Sequence, residues 1–365
     1  MVVLVVGAGV VELVLDTGSS QLSVKGTGCE WRTCTPLGCA VTSCPCGLGA
    51  DGTPRTDCTE HYYQPLGHRL APGEQGAGTS TQMTYGSQTD TVSHYLDTVH
   101  VPMPSSSILT CDMLHTAPSP VALRDVAGNE NEWLRVGKLV VHRVSYIEGT
   151  SSSNLLGLAR PNGGTTEHGA NVVLDELLDP VKRTWSAVLQ PTGGWLALGT
   201  LPCFTTPHYI PLLTPRPFAN FLTSFYIVNL VSMSVGPSPD ALTRLRDVPK
   251  YCVIDTGTTA TYGSTQLGDA LDAAGYVENR SVVQLKLGSA SSPLTLTYTP
   301  DQLRDPDYPT QGIIEAWPGR TLDDYSQIFP DRDGGVLLLG AVMMYGFYWE
   351  FDLRRARVGV TDLRV

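Results

Sequence analysis

Asp-Thr-Gly stands twice in the chain, at Asp16-Thr17-Gly18 and Asp255-Thr256-Gly257, and each copy closes an apolar run of β type. Val10-Val11-Glu12-Leu13-Val14-Leu15 precedes the first and Tyr251-Cys252-Val253-Ile254 the second, while Ser19-Ser20 and Thr258-Thr259 follow them. One such tripeptide reads as an ordinary turn, because Asp and Gly are favoured there. Two copies in matching context, 239 positions apart (255 minus 16), predict two similar lobes that each present one carboxylate. With 365 residues the chain is long enough for two cores.

Hydrophobic residues make up 42% of the chain and charged residues 16%, which excludes a disordered, coiled-coil or collagen-like protein. The net charge of -11 excludes the phosphate backbone of a nucleic acid as a natural partner. No apolar run approaches the roughly 20 residues that cross a bilayer, so no membrane span is expected in the chain.

Short β-type runs broken by Gly, Pro, Ser and Thr dominate, among them Lys138 to Tyr146, Trp195 to Gly199, Phe225 to Val235 and Leu294 to Thr299. Short helices are expected at Asn171 to Leu178, Thr265 to Ala274 and Thr321 to Ile328. Gly26 to Gly78 and Pro102 to Asn131 read as irregular insertions, and a lobe boundary is expected near Gly199 to Pro202, giving lobes 1–200 and 201–365. Val2 to Val6 with Gly7-Ala8-Gly9 imitates the start of a dinucleotide-binding fingerprint. Glu12 stands at its third glycine, however, and a second β-run replaces the helix it requires, so a tight hairpin is predicted and no cofactor.

Seven of the nine cysteines, Cys29, Cys34, Cys39, Cys44, Cys46, Cys58 and Cys111, lie in the first third of the chain. Disulfides and a zinc site compete for them. The spacing lacks the paired Cys-x2-Cys units of zinc modules, so disulfides and an oxidising compartment are expected, with no metal. The sequon Asn279-Arg280-Ser281 agrees with secretion. The eight histidines show no metal spacing and read as surface or loop residues, Cys252 reads as a small buried hydrophobe, and Trp317, Trp349, Phe347 and Tyr348 read as core.

Paired carboxyls suit the hydrolysis of an amide by water, which needs one base for the water and one acid for the leaving nitrogen. Two carboxyls a few ångströms apart cannot both ionise easily, so one proton is shared and both roles are filled. Gly18 and Gly257 would free backbone amides to face the carboxylates, and Ser19 and Thr258 would offer hydroxyl donors. Thr17 and Thr256 are expected to hydrogen-bond across to the opposite loop.

These residues resemble the pepsin-like aspartic proteases, whose lobes each carry a hydrophobic-hydrophobic-Asp-Thr-Gly-Ser/Thr loop. The family's apolar-apolar-Gly motif that threads each loop is matched by Leu155-Leu156-Gly157-Leu158-Ala159 and Val336-Leu337-Leu338-Leu339-Gly340. Met83-Thr84-Tyr85-Gly86-Ser87 resembles the flap, with Tyr85 as its tyrosine and Gly86 and Ser87 beside it. Tyr146-Ile147-Glu148-Gly149-Thr150 is a competing flap but lies too close to Leu155 for a hairpin to go out and return. The cysteine-rich stretch resembles the insertion of the nepenthesin-like and plasmepsin V-like branches. Ser23 stands where the family usually has the tryptophan that bonds to the flap tyrosine, and Gln88 replaces a flap glycine.

The resemblance implies a mainly β, bilobal pepsin-like fold and an aspartic endopeptidase in which Asp16 and Asp255 activate water. It implies a peptide or protein substrate with hydrophobic residues beside the cut, no cofactor, a monomer, and a place in the secretory pathway, extracellular or endolysosomal/vacuolar. The family's first strand, propeptide and signal sequence would precede a chain that starts so near Asp16. A second expectation is a pepsin-fold protein that binds a peptide or protein partner without cutting it.

Overall fold

Runs rich in valine, threonine and leucine adopt the extended conformation that branched side chains favour, and in the computed structural model the chain is mainly β, arranged in several sheets. The structure describes residues 2–6, 9–35, 38–44, 47–48, 54–55, 62–63, 65, 68–69, 81–85, 88–102, 133–149, 154–160, 174, 183–190, 193–200, 206–213, 225–246, 248–277, 280–303, 314–316 and 336–364. The described residues fall into two units, 2–102 with 133–174 in the first and 183–364 in the second.

In the first unit, β1 (Val2–Val6) and β2 (Gly9–Asp16) form the predicted hairpin, paired from Val2↔Leu13 to Val6↔Gly9. They join a sheet with β3 (Leu22–Thr35), β4 (Gly38–Ser43), β5 (Thr81–Tyr85), β6 (Gln88–Pro102), β7 (Trp133–Gly149) and β8 (Leu155–Gly157). Its main order is β1-β2-β8-β3-β7-β6, and β6 returns to β1 through Val5↔His100 and Val6↔Val99. Pairing therefore closes into a ring. β5 hangs on β6 as an antiparallel pair, and β4 hangs on β3.

Two expectations for this unit change. Gly26 to Ser43 is not irregular: β3 continues through it and pairs with β4 from Glu30↔Ser43 to Thr35↔Gly38. All six residues of β4 are exposed, so no hydrophobic alternation marks it in the sequence. The hairpin is instead strapped by disulfides, Cys34–Cys39 between directly opposed residues and Cys29–Cys44 at its base. Cys29 and Cys44 are buried with Tyr62, Val92, Val144 and Ile147. Cys46, Cys58, Cys111 and Cys203 lie outside the described residues.

Likewise His94 and His142 are neither surface nor loop residues. They sit opposite each other on β6 and β7, fully buried, with ring centroids 4.7 Å apart. Both fall on the strand parity that carries Val92, Val140 and Val144 inward, and a strand position buries its side chain whatever its polarity. Ser23, Lys25 and Asp90 are also buried here.

Among its described residues the second unit holds two sheets. One has the order β10-β9-β19-β20-β11, from β9 (Thr184–Gln190), β10 (Gly193–Ala197), β11 (His208–Pro211), β19 (Phe347–Asp352) and β20 (Arg357–Asp362). β9 pairs with β19 from Thr184↔Asp352 to Val188↔Tyr348, and β10 pairs with β9, so residues 184–197 share a sheet with the C-terminal strands. The other sheet contains β12 (Tyr226–Gly236), β13 (Tyr251–Ile254), β14 (Thr261–Gly263), β15 (Val282–Ser289), β16 (Ser292–Tyr298), β17 (Ile314–Ala316) and β18 (Val336–Leu339), in the order β16-β15-β12-β13-β18-β14-β17.

Aromatic packing fills this unit. The Trp185 ring stacks on Phe351 at 4.0 Å, and its indole N–H donates to the Tyr226 hydroxyl at 3.0 Å. Phe347, Tyr348 and Trp349 are buried as expected, while Trp317 is outside the described residues. The helix α1 (Thr265–Ala273) forms where predicted; Ser264 caps it by accepting from the Leu267 amide, and Leu267 and Leu271 face inward. The other two expected helices fall almost wholly outside the described residues, as does Asn279.

Candidate functional site

Each Asp-Thr-Gly sits at the end of a strand, and an apolar strand from much later in the chain threads past it. In the first unit β8 runs parallel to β2, with Leu155↔Val14, Leu156↔Leu15 and Gly157↔Asp16, and antiparallel to the start of β3. In the second unit β18 runs parallel to β13, with Tyr251↔Val336 through Ile254↔Leu339, and antiparallel to β14 at Tyr262↔Leu338. The strand before each aspartate and the strand after it are thus separated by the threaded apolar-apolar-Gly segment.

Backbone bonds close both loops. The Leu158 amide donates to the Asp16 carbonyl at 2.7 Å and the Ala159 amide to the Ser19 carbonyl at 2.8 Å. In the second unit the Asp255 amide donates to the Leu339 carbonyl at 3.0 Å, and the Ala341 amide to the Thr258 carbonyl at 2.7 Å. Glycine is required at both threading points. A Cβ on Gly157 would lie 2.6 Å from the Gln21 carbonyl oxygen, and one on Gly340 would lie 2.6 Å from that of Thr259. Neither obstacle is a flexible side chain.

The carboxylates are held in the same way. The Gly18 amide donates to Asp16 Oδ1 at 2.8 Å, and the Gly257 amide to Asp255 Oδ1 at 3.0 Å. Asp16 is buried and Asp255 half-buried, while Thr17 and Thr256 are both buried. The hydroxyl expectation holds on one side only. Thr258 donates to Asp255 Oδ2 at 2.6 Å, whereas Ser19 Oγ is buried with no hydrogen-bond partner among the described residues.

Of the proposed flap, β5 pairs with β6 from Thr81↔Val92 to Tyr85↔Gln88, which gives Tyr85 its place in a backbone hairpin. Gly86 and Ser87 lie outside the described residues. The rival segment Tyr146 to Gly149 belongs to β7, paired with β6 through Glu148↔Thr89 and Gly149↔Gln88. Ser23 is buried on β3, beside Leu155 of the threaded strand.

Three residues around these loops escape motif reading. Asn154 joins β2 to β3: its carbonyl accepts from the Val14 amide at 2.9 Å and its side-chain oxygen from the Lys25 amide at 2.8 Å. Gln21 accepts the Gly157 amide on its carbonyl at 2.8 Å. Thr261 accepts the Gly340 amide on its hydroxyl at 3.2 Å. No local pattern singles out Thr261, because Thr258, Thr259 and Ser264 nearby carry the same hydroxyl. Cys252 is a buried free thiol whose ionisation is pushed up by burial, so it packs as a hydrophobe and not as a nucleophile.

Among the described residues no cluster of His, Cys, Asp and Glu could hold a metal ion, and no helix is long and apolar enough to cross a membrane. Comparison of the sequence with protein-family models and with curated proteins finds no match.

Proposed function

We propose that the chain is an aspartic endopeptidase of bilobal, pepsin-like architecture, in which Asp16 and Asp255 share one proton and activate a water molecule. The observation that carries the reading is the repeated loop: each unit holds an Asp-Thr-Gly carboxylate on a glycine amide, with an apolar strand and a glycine threaded behind it. In the reaction the ionised carboxyl takes a proton from water, which attacks the scissile carbonyl, and the protonated carboxyl supports the carbonyl oxygen. The amine then leaves with a proton from the pair. The Tyr85 hairpin covers an extended peptide bound by backbone hydrogen bonds, with hydrophobic side chains beside the cut. Disulfides in the first unit fit a protein folded in an oxidising compartment, and we place it in the secretory pathway.

Cleavage of a diverse peptide library across pH tests this. The wild-type chain is expected to cut with a bell-shaped pH dependence and to be blocked by a pepstatin-type inhibitor, while Asp16→Asn and Asp255→Asn fold normally and do not cut. Turnover retained by either variant rules out the pair.

A non-cutting peptide-binding protein is the second reading, favoured by one observation: Ser19 Oγ supports nothing at Asp16. Saturable peptide binding by the wild-type chain with no product at any pH would select it.

A further inference from the structure

The two threaded loops differ again at the glycine amide. Gly157 in the first unit gives its amide to a main-chain oxygen, that of Gln21, whereas Gly340 in the second gives its amide to the side chain of Thr261. Main-chain acceptors are indifferent to substitution; a hydroxyl is not. The second loop therefore carries a point of side-chain control that the first lacks.

The bond acts on one peptide group with two roles. The carbonyl of Leu339 and the amide of Gly340 belong to the same planar unit. Its oxygen accepts the Asp255 amide at 3.0 Å, and its N–H is fixed by Thr261 Oγ1 at 3.2 Å. One residue further on, the Ala341 amide holds the Thr258 carbonyl at 2.7 Å, and the Thr258 hydroxyl holds Asp255 Oδ2 at 2.6 Å. Thr261 is fully buried, and Gly340 is packed against the Thr259 and Ala260 backbone with no space for a Cβ. A rotation of this peptide plane would thus move the main chain of Asp255 and the donor to its carboxylate together.

We propose that Thr261 is a positioning residue for Asp255, orienting the Leu339–Gly340 peptide so that Thr258 stays aligned on the carboxylate. The assignment of a catalytic role to Asp255 rests on the endopeptidase reading; the positioning role does not.

Thr261→Val keeps the shape and removes the acceptor, and Thr261→Ser restores it. Thr261→Val should lower kcat roughly 3- to 10-fold, the scale of one lost hydrogen bond, with KM within about twofold. Thr261→Ser should recover kcat. A Thr261→Val enzyme with unchanged kcat, a loss that falls on KM instead, or a loss that Thr261→Ser does not reverse, overturns the proposal. A second readout does not need activity: the Thr258 hydroxyl proton, followed by NMR, should exchange with solvent at least about tenfold faster in Thr261→Val, and unchanged exchange overturns the proposal. Should Thr261→Val fail to fold, wild-type amide exchange decides. Equal protection at Gly340 and Asp255 supports the coupling, and an unprotected Gly340 amide refutes it. A wild-type chain that cuts nothing defeats the endopeptidase reading and leaves these two NMR tests standing.

Discussion

The Thr258 hydroxyl reaches Asp255 Oδ2 at 2.6 Å, three residues along the chain, and closes a ring with the Gly257 amide that holds the other carboxylate oxygen. Two donors from the same loop fix both oxygens of one carboxylate. In the first unit the residue at the corresponding position, Ser19, makes no such bond.

This difference predicts unequal costs for two similar substitutions. Thr258→Val should lower kcat/KM by about 10- to 100-fold, the range for a hydrogen bond to a charged group. Ser19→Ala should cost far less. Parallel kinetics of the two variants provide the measurement, and equal losses would show that the loops work alike.

Gly157 and Gly340 predict a steric cost for any side chain. Ala at either position puts a Cβ into main-chain atoms of the loop, so each variant should lose about 3 kcal/mol of stability in denaturant unfolding. Gly275, with φ +72° and open space around it, is the comparison: there Ala should cost only the roughly 1 kcal/mol of left-handed backbone strain.

Lys25 predicts a pH dependence in the first unit. Burial lowers its pKa from the ordinary 10.5 to about 8, and the Asp90 charge opposes that shift only in part. Between these values the unfolded chain carries a proton that the folded chain has released, so stability rises with pH through the window. Below about pH 8 the cost of the buried charge is fully present, on the order of 3 kcal/mol. Buried Tyr63 and Tyr298, both pushed above their ordinary value by burial, reverse the trend above pH 10. Unfolding of the wild-type chain from pH 7 to 10 should show the rise, and Lys25→Met should abolish it.

The two disulfides among the described residues predict a graded response. Cys29–Cys44 spans 15 positions and is buried with Tyr62 and Val92, so replacing both cysteines by Ala should cost about 3 kcal/mol. Cys34–Cys39 spans 5 and is exposed, so its replacement should cost less. Mild reductant followed by alkylation and mass spectrometry should modify Cys34 and Cys39 first.

Sequence reading succeeded where a local pattern and its tertiary use coincide. The Asp-Thr-Gly loops, the threaded Leu155 to Gly157 and Val336 to Gly340 segments, the β1–β2 hairpin and the Ser264-capped helix all carry their signal within a few residues. It failed where the third dimension decides. His94 and His142 look like scattered polar residues until the strands pair and turn both inward. The β3–β4 hairpin shows no apolar alternation because cross-links, not a buried face, hold it. The partner of β9, β19, lies more than 150 positions later, and sequence proximity says nothing of that. The Thr261 bond was invisible for the same reason, being 79 positions from Gly340.

The return of β6 to β1 has a consequence for how the first unit meets other chains. β1 covers β2 from Val2↔Leu13 to Val6↔Gly9 and reaches β6 through Val5↔His100 and Val6↔Val99, so it occupies main-chain donors and acceptors that an open sheet would present. Deleting Val2 to Val6 would strip that cover and leave two adhesive borders, each a template for a foreign strand. Five residues with no part in the proposed chemistry thus guard the unit against aggregation.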